Sequence, residues 1–445
     1  MRIRILSSLI LLMSLSSKAQ QESKGSGEFT LQAAVDYALK HNANYLNAEL
    51  EILQTQYKKN EITGLGLPQI SGSIDVKDFV NIPTSVAPFG PGGTYIPLKF
   101  GIQYSATPGI SASQLLLSSD YFLGLLSSKQ YMLLAEKNVQ RNKAETVQNV
   151  TRAYYLVLVN KERIKLFDAN ITRLKKLLDN TKAYNKEGLV EKIDVDRLEV
   201  SYNNLVSEKA KIERLIDLSE ALLKFQMGYK ISDAIVLSDK LNADTENNSS
   251  IAEDAKINFS NRPEFAILET QKNINLIDIK RNRLAYLPTM FAYASLGYNG
   301  YNTKFDFLNK AQNWYPVSII GATLNVPIFD GLQKHWKIQQ AKLNLVKTTN
   351  SLQGLQMAIE FETKSALVNY QNALASMETQ KKNTALAQSI YEVSEKKYQQ
   401  GIGSNVEMLN AQTALTEAQT NYFNAIYDML VAKLDYMKAT GTLVK

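Results

Sequence analysis

The chain has 445 residues, no cysteine, two histidines and a formal net charge of +7. That length could hold two or three ordinary domains, and the lack of cysteine excludes disulfides, zinc–thiolate sites, cysteine nucleophiles and a lipidated N-terminal cysteine. Three of the positive charges, Arg2, Arg4 and Lys18, fall at the very start, so the remaining balance is too mild to point to nucleic acid, and His41 and His335 lie too far apart in sequence to suggest a metal site within one chain.

Residues 1–19 read as a secretory signal. Arg2 and Arg4 precede the apolar run Ile5 to Leu15, and Ser17-Lys18-Ala19 offers small residues for cleavage before Gln20. The run is too short for a spanning helix of about 20 residues. No later segment is apolar enough to be one, so an exported chain of this kind is either soluble or crosses an outer membrane as β-strands.

Beyond the leader, one layout is written twice. The first repeat covers 20–228, with predicted strands at about 69–79 and 99–111, a long helix at about 114–185 and a return helix at 192–227. A polar linker, 229–250, leads to the second repeat, 251–445. There the strands fall at about 288–300 and 317–329, the long helix at about 332–400 and the return helix at 404–440. Gly188 to Gly228 and Gly401 to Gly441 both span 40 residues. Identity between the two arms is low, so the duplication lies in layout and residue class.

The long helices follow from what is missing. No proline falls in 109–262 or 328–445, and proline in a helix interior costs about 3 kcal/mol. Seventy helical residues reach about 105 Å, and such a helix depends on lateral partners. The second return helix states its packing code openly. Ala411, Ala418, Ala425, Ala432 and Ala439 recur every seven residues, with Met408, Leu415, Tyr422, Met429 and Tyr436 three residues ahead of each. This is a heptad seam. The first return helix repeats it with Val195, Leu198, Tyr202, Leu205, Ile212, Ile216 and Leu223, interrupted by Lys209 and Ser219.

The strands alternate instead with period two. Ile70, Gly72, Ile74 and Val76 interleave with Ser71, Ser73, Asp75 and Lys77, and Phe100, Ile102, Tyr104 and Ala106 with Gly101, Gln103, Ser105 and Thr107. Ile320, Ala322, Leu324 and Val326 behave likewise, and Met290, Ala292, Ala294 and Leu296 do so less cleanly. This pattern and length suit tilted membrane strands, although a small soluble sheet alternates in the same way. Aromatics crowd the strand ends and loops (Phe79, Phe89, Tyr95, Tyr298, Tyr301, Phe305, Phe307, Trp314, Tyr315), as in an interfacial girdle. The loop 81–98 is rich in proline and glycine. Four strands cannot close a membrane barrel, since such barrels begin at about eight, so membrane strands here require several chains to share one barrel.

Several short motifs then carry a resemblance. These are Thr30-Leu31-Gln32-Ala33-Ala34-Val35 with Ala38 and Asn42; Asn261-Arg262-Pro263-Glu264; Leu67-Pro68 and Leu287-Pro288; and Val326-Pro327-Ile328-Phe329-Asp330-Gly331. In order and spacing they resemble the TolC-type outer-membrane efflux proteins over essentially the whole mature chain. The first copy of the last motif, Leu115-Leu116-Leu117-Ser118-Ser119, lacks the Asp-Gly. The resemblance implies a mixed α/β membrane protein: a homotrimer whose twelve-stranded outer-membrane β-barrel takes four strands per chain and continues into a long periplasmic α-helical barrel. It also implies as partners a periplasmic adaptor protein, an inner-membrane transporter of RND or ABC type, and outer-membrane lipid.

The same resemblance assigns roles at the helix tips. Gly188, Leu189, Gly401 and Ile402 match adaptor-contact positions, although glycine is also what a helix–helix turn needs for its left-handed backbone. Glu407 and Asn410 match the two positions that narrow the periplasmic aperture, the second being acidic in the family. A closed ring would then hold three carboxylates. Glu407 has a plainer reading too, as an acid favoured by a helix N-terminus. Asp194 and Tyr398 match two members of a polar latch whose arginine is here Gly403, so closure must draw on other contacts, with Lys192 a candidate, or be weaker.

No P-loop, catalytic constellation or cofactor motif is found, so an enzyme is not expected and energy must come from a partner. The reading is an exit duct of a tripartite efflux pump. Its alternatives are the outer-membrane channel of a type I protein secretion system and, in another class, a soluble periplasmic coiled-coil scaffold.

Overall fold

The computed structural model describes residues 27–87, 96–99, 101–241, 258–309 and 311–444. The expected signal, the centre of the loop 81–98 and the end of the linker lie outside the described residues. The chain divides into two compact units. One takes the described residues of Met1–Ala38, Val150–Ser249 and Ala387–Phe423; the other takes those of Leu39–Asn149, Ser250–Leu386 and Asn424–Lys445.

The elements, in order, begin with β1 (Gly27–Phe29), α1 (Leu31–His41), α2 (Ala43–Gly64), β2 (Gln69–Asp78), β3 (Thr84–Ala87) and β4 (Ile96–Lys99). Then come β5 (Tyr104–Leu117), α3 (Ser119–Lys186), α4 (Lys192–Met227) and β6 (Ile235–Leu237). After a short 3-10 turn follow α5 (Pro263–Leu284), β7 (Thr289–Asn302), β8 (Trp314–Asn325), α6 (Gln333–Gln399) and α7 (Asn405–Ala439). The lengths match in pairs: 22 residues for α2 and α5, 68 and 67 for α3 and α6, 36 and 35 for α4 and α7.

In the second unit, β2, β5, β7 and β8 form one antiparallel sheet in that order. Its register collects the alternating residues onto common faces. Ile70 pairs with Ala112, Ala112 with Ala294, and Ala294 with Ile320. The next row on the other face is Ser71, Ser111 and Ser295, with the first two hydroxyls 2.9 Å apart. Every residue of β2 is exposed. Because Gln69 lies opposite Ser113 and Thr289 opposite Asn325, the strand ends that lead to α2, α3, α5 and α6 share one end of the sheet. Asp78, Tyr104, Asn302 and Trp314 lie at the other end.

Two boundaries differ from the sequence expectation. The second strand was expected at 99–111 and the long helix from 114; the strand instead runs 104–117 and α3 starts at Ser119. Gly101 adopts φ +139°, which separates β4 from β5, and β4 pairs with β3 as its own ribbon. At the far end Gln114, Leu115 and Leu117 stay on the ladder to β7 through a bulge. Three consecutive leucines hide the alternation, and cross-strand pairing overrides their helical propensity. The hydroxyl of Ser118 then accepts the N–H of Tyr121 at 3.2 Å and caps α3. Likewise β8 begins at Trp314 and ends at Asn325, before Pro327, which disfavours further ladder pairing.

Arg262 anchors the helical part of this unit. Its buried guanidinium donates to the Ala439 carbonyl at 2.9 Å, to Glu362 at 3.0 Å and to Glu264 at 3.3 Å. Pro263 occupies the first turn of α5, where its missing N–H costs nothing. Thus one arginine ties the end of α7 to α6 and to the start of α5.

In the first unit the core is the seam itself. Phe167, Leu174, Leu178, Leu198, Leu205, Met408 and Leu415 are buried together, and truncating one such leucine to alanine costs about 2–5 kcal/mol. The linker is not structureless. Its Ile235–Leu237 pairs in parallel with Gly27–Phe29. Asp239 accepts the first N–H of α1 at 2.8 Å and the hydroxyl of fully buried Tyr154 at 2.9 Å.

Arg262→Ala should lower stability by roughly 3 kcal/mol, because it takes the guanidinium from two carboxylates and leaves the Ala439 carbonyl only the longer bond from the Thr363 hydroxyl at 3.3 Å. Thermal melting of the purified protein reads this. The control Glu264→Gln should cost far less, since that carboxylate is partly exposed.

Candidate functional site: the helix tips

The chain reverses twice by the same device. α3 ends into Gly188 at φ +74° and α6 into Gly401 at φ +73°. At each, the glycine N–H bonds three residues back and the next N–H five residues back: Gly188 to Asn185 and Leu189 to Tyr184, Gly401 to Tyr398 and Ile402 to Lys397. This is the Schellman closure, which satisfies the last carbonyls of a helix. A Cβ at either glycine would meet open space, so backbone conformation alone demands glycine there. The closure points the following apolar residue outward: Leu189 is 72% exposed and Ile402 74% exposed.

The two latch candidates do not bond to each other. Asp194, in the first turn of α4, accepts the side-chain amide of Asn405 on Oδ1 at 3.1 Å and on its backbone carbonyl at 2.9 Å. Arg197 adds a guanidinium 3.6 Å away. Tyr398, in the last turn of α6, places its hydroxyl 3.2 Å from that of Thr181, which is fully buried. One link therefore joins α4 to α7 and another joins α3 to α6.

Glu407 begins α7, where the Ser404 hydroxyl accepts its N–H at 3.0 Å. Its carboxylate accepts from Lys397 at 3.2 Å across the turn, both side chains being about half exposed. Such a pair contributes under about 1 kcal/mol, but it offsets the charge of the acid locally. Asn410 is exposed on the same helix face, three residues on.

Asn405, Thr181 and Lys397 are partners that sequence reading missed. A signal existed for the first. Asn405, Gln412 and Gln419 recur every seven residues beside the apolar seam, and all three are buried. Gln419 accepts from Asn170 at 2.9 Å, and Asn170 in turn accepts from Arg173 at 2.6 Å. Arg173 lies 5.3 Å over the ring of Tyr391, whose phenol is pushed up to about 12 mainly by burial and then by Glu395. The side-chain carbonyls of Asn405 and Gln412 have no partner among the described residues. A buried amide left half-paired costs about 1–3 kcal/mol, set here against the burial of Met408 and Leu415 on the same stretch of α7.

Residues 259–442 match the family described as outer membrane efflux protein. Among curated proteins, the chain is 22% identical over 357 residues to outer membrane protein TolC of Escherichia coli, covering 77% of this chain and 71% of that protein. It is 20% identical over 325 residues to the alkaline protease secretion protein AprF of Pseudomonas aeruginosa, covering 73% and 67%. Among solved structures, the fold matches the Campylobacter jejuni CmeC outer membrane channel with a TM-score of 0.72 at 18% identity, over 93% of this chain and 85% of that one. Residues 259–442 are thus similar in sequence to outer membrane efflux proteins, and nearly the whole chain shares the fold of a solved outer membrane channel.

Proposed function

We propose that this chain is the outer-membrane exit duct of an efflux pump, passively conducting substrates that a periplasmic adaptor and an inner-membrane transporter deliver. Three copies share one twelve-stranded barrel, and their long helices line a periplasmic tunnel. The observation that carries this reading is the four-stranded sheet. It is apolar on one face, exposed along β2, and open at both outer strands among the described residues. In hydrocarbon such edges must be paired by further copies. No described helix is long and apolar enough to cross a membrane.

Further support comes from the helices. α4 exposes Val200, Leu218 and Phe225, and α6 exposes Met357, Phe361, Leu386 and Ile390. Two different apolar faces on one chain suit a head-to-tail contact that closes into a ring. The matched lengths of α2 and α5, α3 and α6, and α4 and α7 support an internal duplication. Such a duct contains no catalytic step. The similarity to AprF favours protein secretion as the second reading of the same channel.

At the tip, Leu189 and Ile402, each set outward by its glycine, form the adaptor contact. Asp194 and Tyr398 restrain the closed state through Asn405 and Thr181. Glu407 and Asn410 face the aperture, with Lys397 moderating the acid.

Light scattering of the detergent-extracted species, corrected for bound detergent, should give the mass of three chains; a monomer released by osmotic shock alone would sink the duct. Leu189→Asp with Ile402→Asp should abolish co-purification of the adaptor while leaving the trimer intact. Asp194→Ala with Tyr398→Phe should raise single-channel conductance several-fold in planar bilayers, and an unchanged conductance removes the latch.

A further inference from the structure

The turn between β7 and β8 is not a bare connection. Gln312 donates to the Tyr301 carbonyl at 3.3 Å and to the Asn313 carbonyl at 2.9 Å, and accepts from Asn302 at 3.1 Å. Asn302 also accepts the Lys304 N–H at 3.3 Å, while Asn309 donates to Asp306 at 3.0 Å and accepts the Ala311 N–H at 3.0 Å. These bonds hold the side chains of Asn302, Asn309 and Gln312 in place before any ligand arrives, which lowers the ordering cost of binding.

Beside these residues is an open depression of about 530 Å³, lined by Ile102, Tyr301, Asn302, Gln312, Asn313 and Tyr315 among others. That volume falls in the roughly 300–1,000 Å³ range of ligand clefts. Tyr301 and Tyr315 stand on one face of the sheet, because Tyr315 lies opposite Asn299 and Tyr301 is two residues on. Their rings are 6.4 Å apart, tilted by 41°, and about half exposed. Their hydroxyls and the side-chain amide of Asn313 make no intramolecular hydrogen bond among the described residues. On the opposite face Trp314 covers Gly300, where a Cβ would come within 2.8 Å of the indole, and stacks with Phe307 at 6.3 Å. The platform is thus backed by packed aromatics.

Among the described residues, none that lines the depression is charged. The described lining offers aromatic faces and amides, which suit apolar contact and hydrogen bonding. What fits is a neutral ligand with one apolar face and a rim of hydroxyls. We propose that this depression binds neutral saccharide, with a pyranose ring laid against Tyr301 and Tyr315 and its hydroxyls bonded to Asn313 and the phenols. Aromatic rings supply large contact area at low entropic cost, and the planar amide offers both donor and acceptor. The turn lies at the sheet end opposite the helices. On the duct reading that end faces the cell exterior and the tyrosine face, opposite the apolar rows, lines the duct mouth, so the sugar is either free glycan outside or a glycolipid headgroup that reaches over the rim. The geometry of the site does not rest on that reading; only the source of the sugar does.

The test is calorimetric titration of the full-length protein in phosphatidylcholine discs with maltotriose, cellotriose and mannotriose. At least one should bind. Tyr301→Ala and Tyr315→Ala should each weaken it about tenfold or more, whereas Tyr301→Phe, which keeps the ring, should remain within about threefold. Should an alanine variant fail to reconstitute, Asn313→Leu, an exposed position, should weaken binding in its place. Discs containing a lactosyl-headgroup lipid separate the sources: weaker uptake of free sugar there means a tethered glycolipid fills the site, and unchanged uptake assigns it to soluble glycan. No heat with any of the three sugars, or alanine and leucine variants that bind as the parent does, overturns the proposal. Bilayer conductance of the same preparations reports on the duct separately, so channels without sugar binding would remove this inference alone.

Discussion

The ladder between β5 and β7 organises the whole of the second unit. It joins strands nearly two hundred residues apart and so turns two hairpin-like pairs into one sheet. At its centre Gly109 and Gly297 face each other so closely that a Cβ on Gly297 would fall 2.9 Å from the Pro108 carbonyl. Its register places the strand ends that continue into α2, α3, α5 and α6 at one end of the sheet. A slip by one residue would send the apolar rows of Ile70, Ala112, Ala294 and Ile320 to the other face. The bulge at Leu115 to Leu117 absorbs the last irregularity before α3 begins.

At the tips the balance of forces is different. The side-chain links there are hydrogen bonds, one of them to the Asp194 carboxylate, and two solvent-accessible ion pairs, each individually small. Beneath them lies a seam in which every seventh residue of the start of α7 is an amide, and two of those amides leave a carbonyl unmet among the described residues. The same row continues with buried Ile426, while Met408 and Leu415 of the adjacent row are buried beside the amides. The turn geometry at the tip is fixed by glycine and backbone bonds.

The opposite strand ends show the reverse arrangement. There the side chains of Asn302, Asn309 and Gln312 bond back to their own turn, and the aromatics are organised around it. These aromatics were legible in the sequence as a girdle, a matter of composition. What composition could not separate is the side of the sheet each ring occupies. The register divides them, placing Tyr301 and Tyr315 over an uncharged depression and Trp314 and Phe307 behind it.

Features that depend on local period and on backbone freedom were readable from the residues alone. The absence of proline licensed α3 and α6, the heptads named the buried faces of α4 and α7, and alternation marked β2, β7 and β8. Gly188, Gly228, Gly401 and Gly441, all left-handed, were visible as turns because few other residues adopt that conformation cheaply. Features that depend on partners distant in the chain emerged only on folding. β5 extends through Leu117 because ladder bonds to β7 outweigh a leucine run's preference for helix. Ile235–Leu237 leaves a polar linker to become a strand because β1 offers an edge and Asp239 can cap α1. Asp194 and Tyr398 take separate partners, Asn405 and Thr181, since a hydrogen bond needs a distance near 3 Å that no spacing along the sequence encodes.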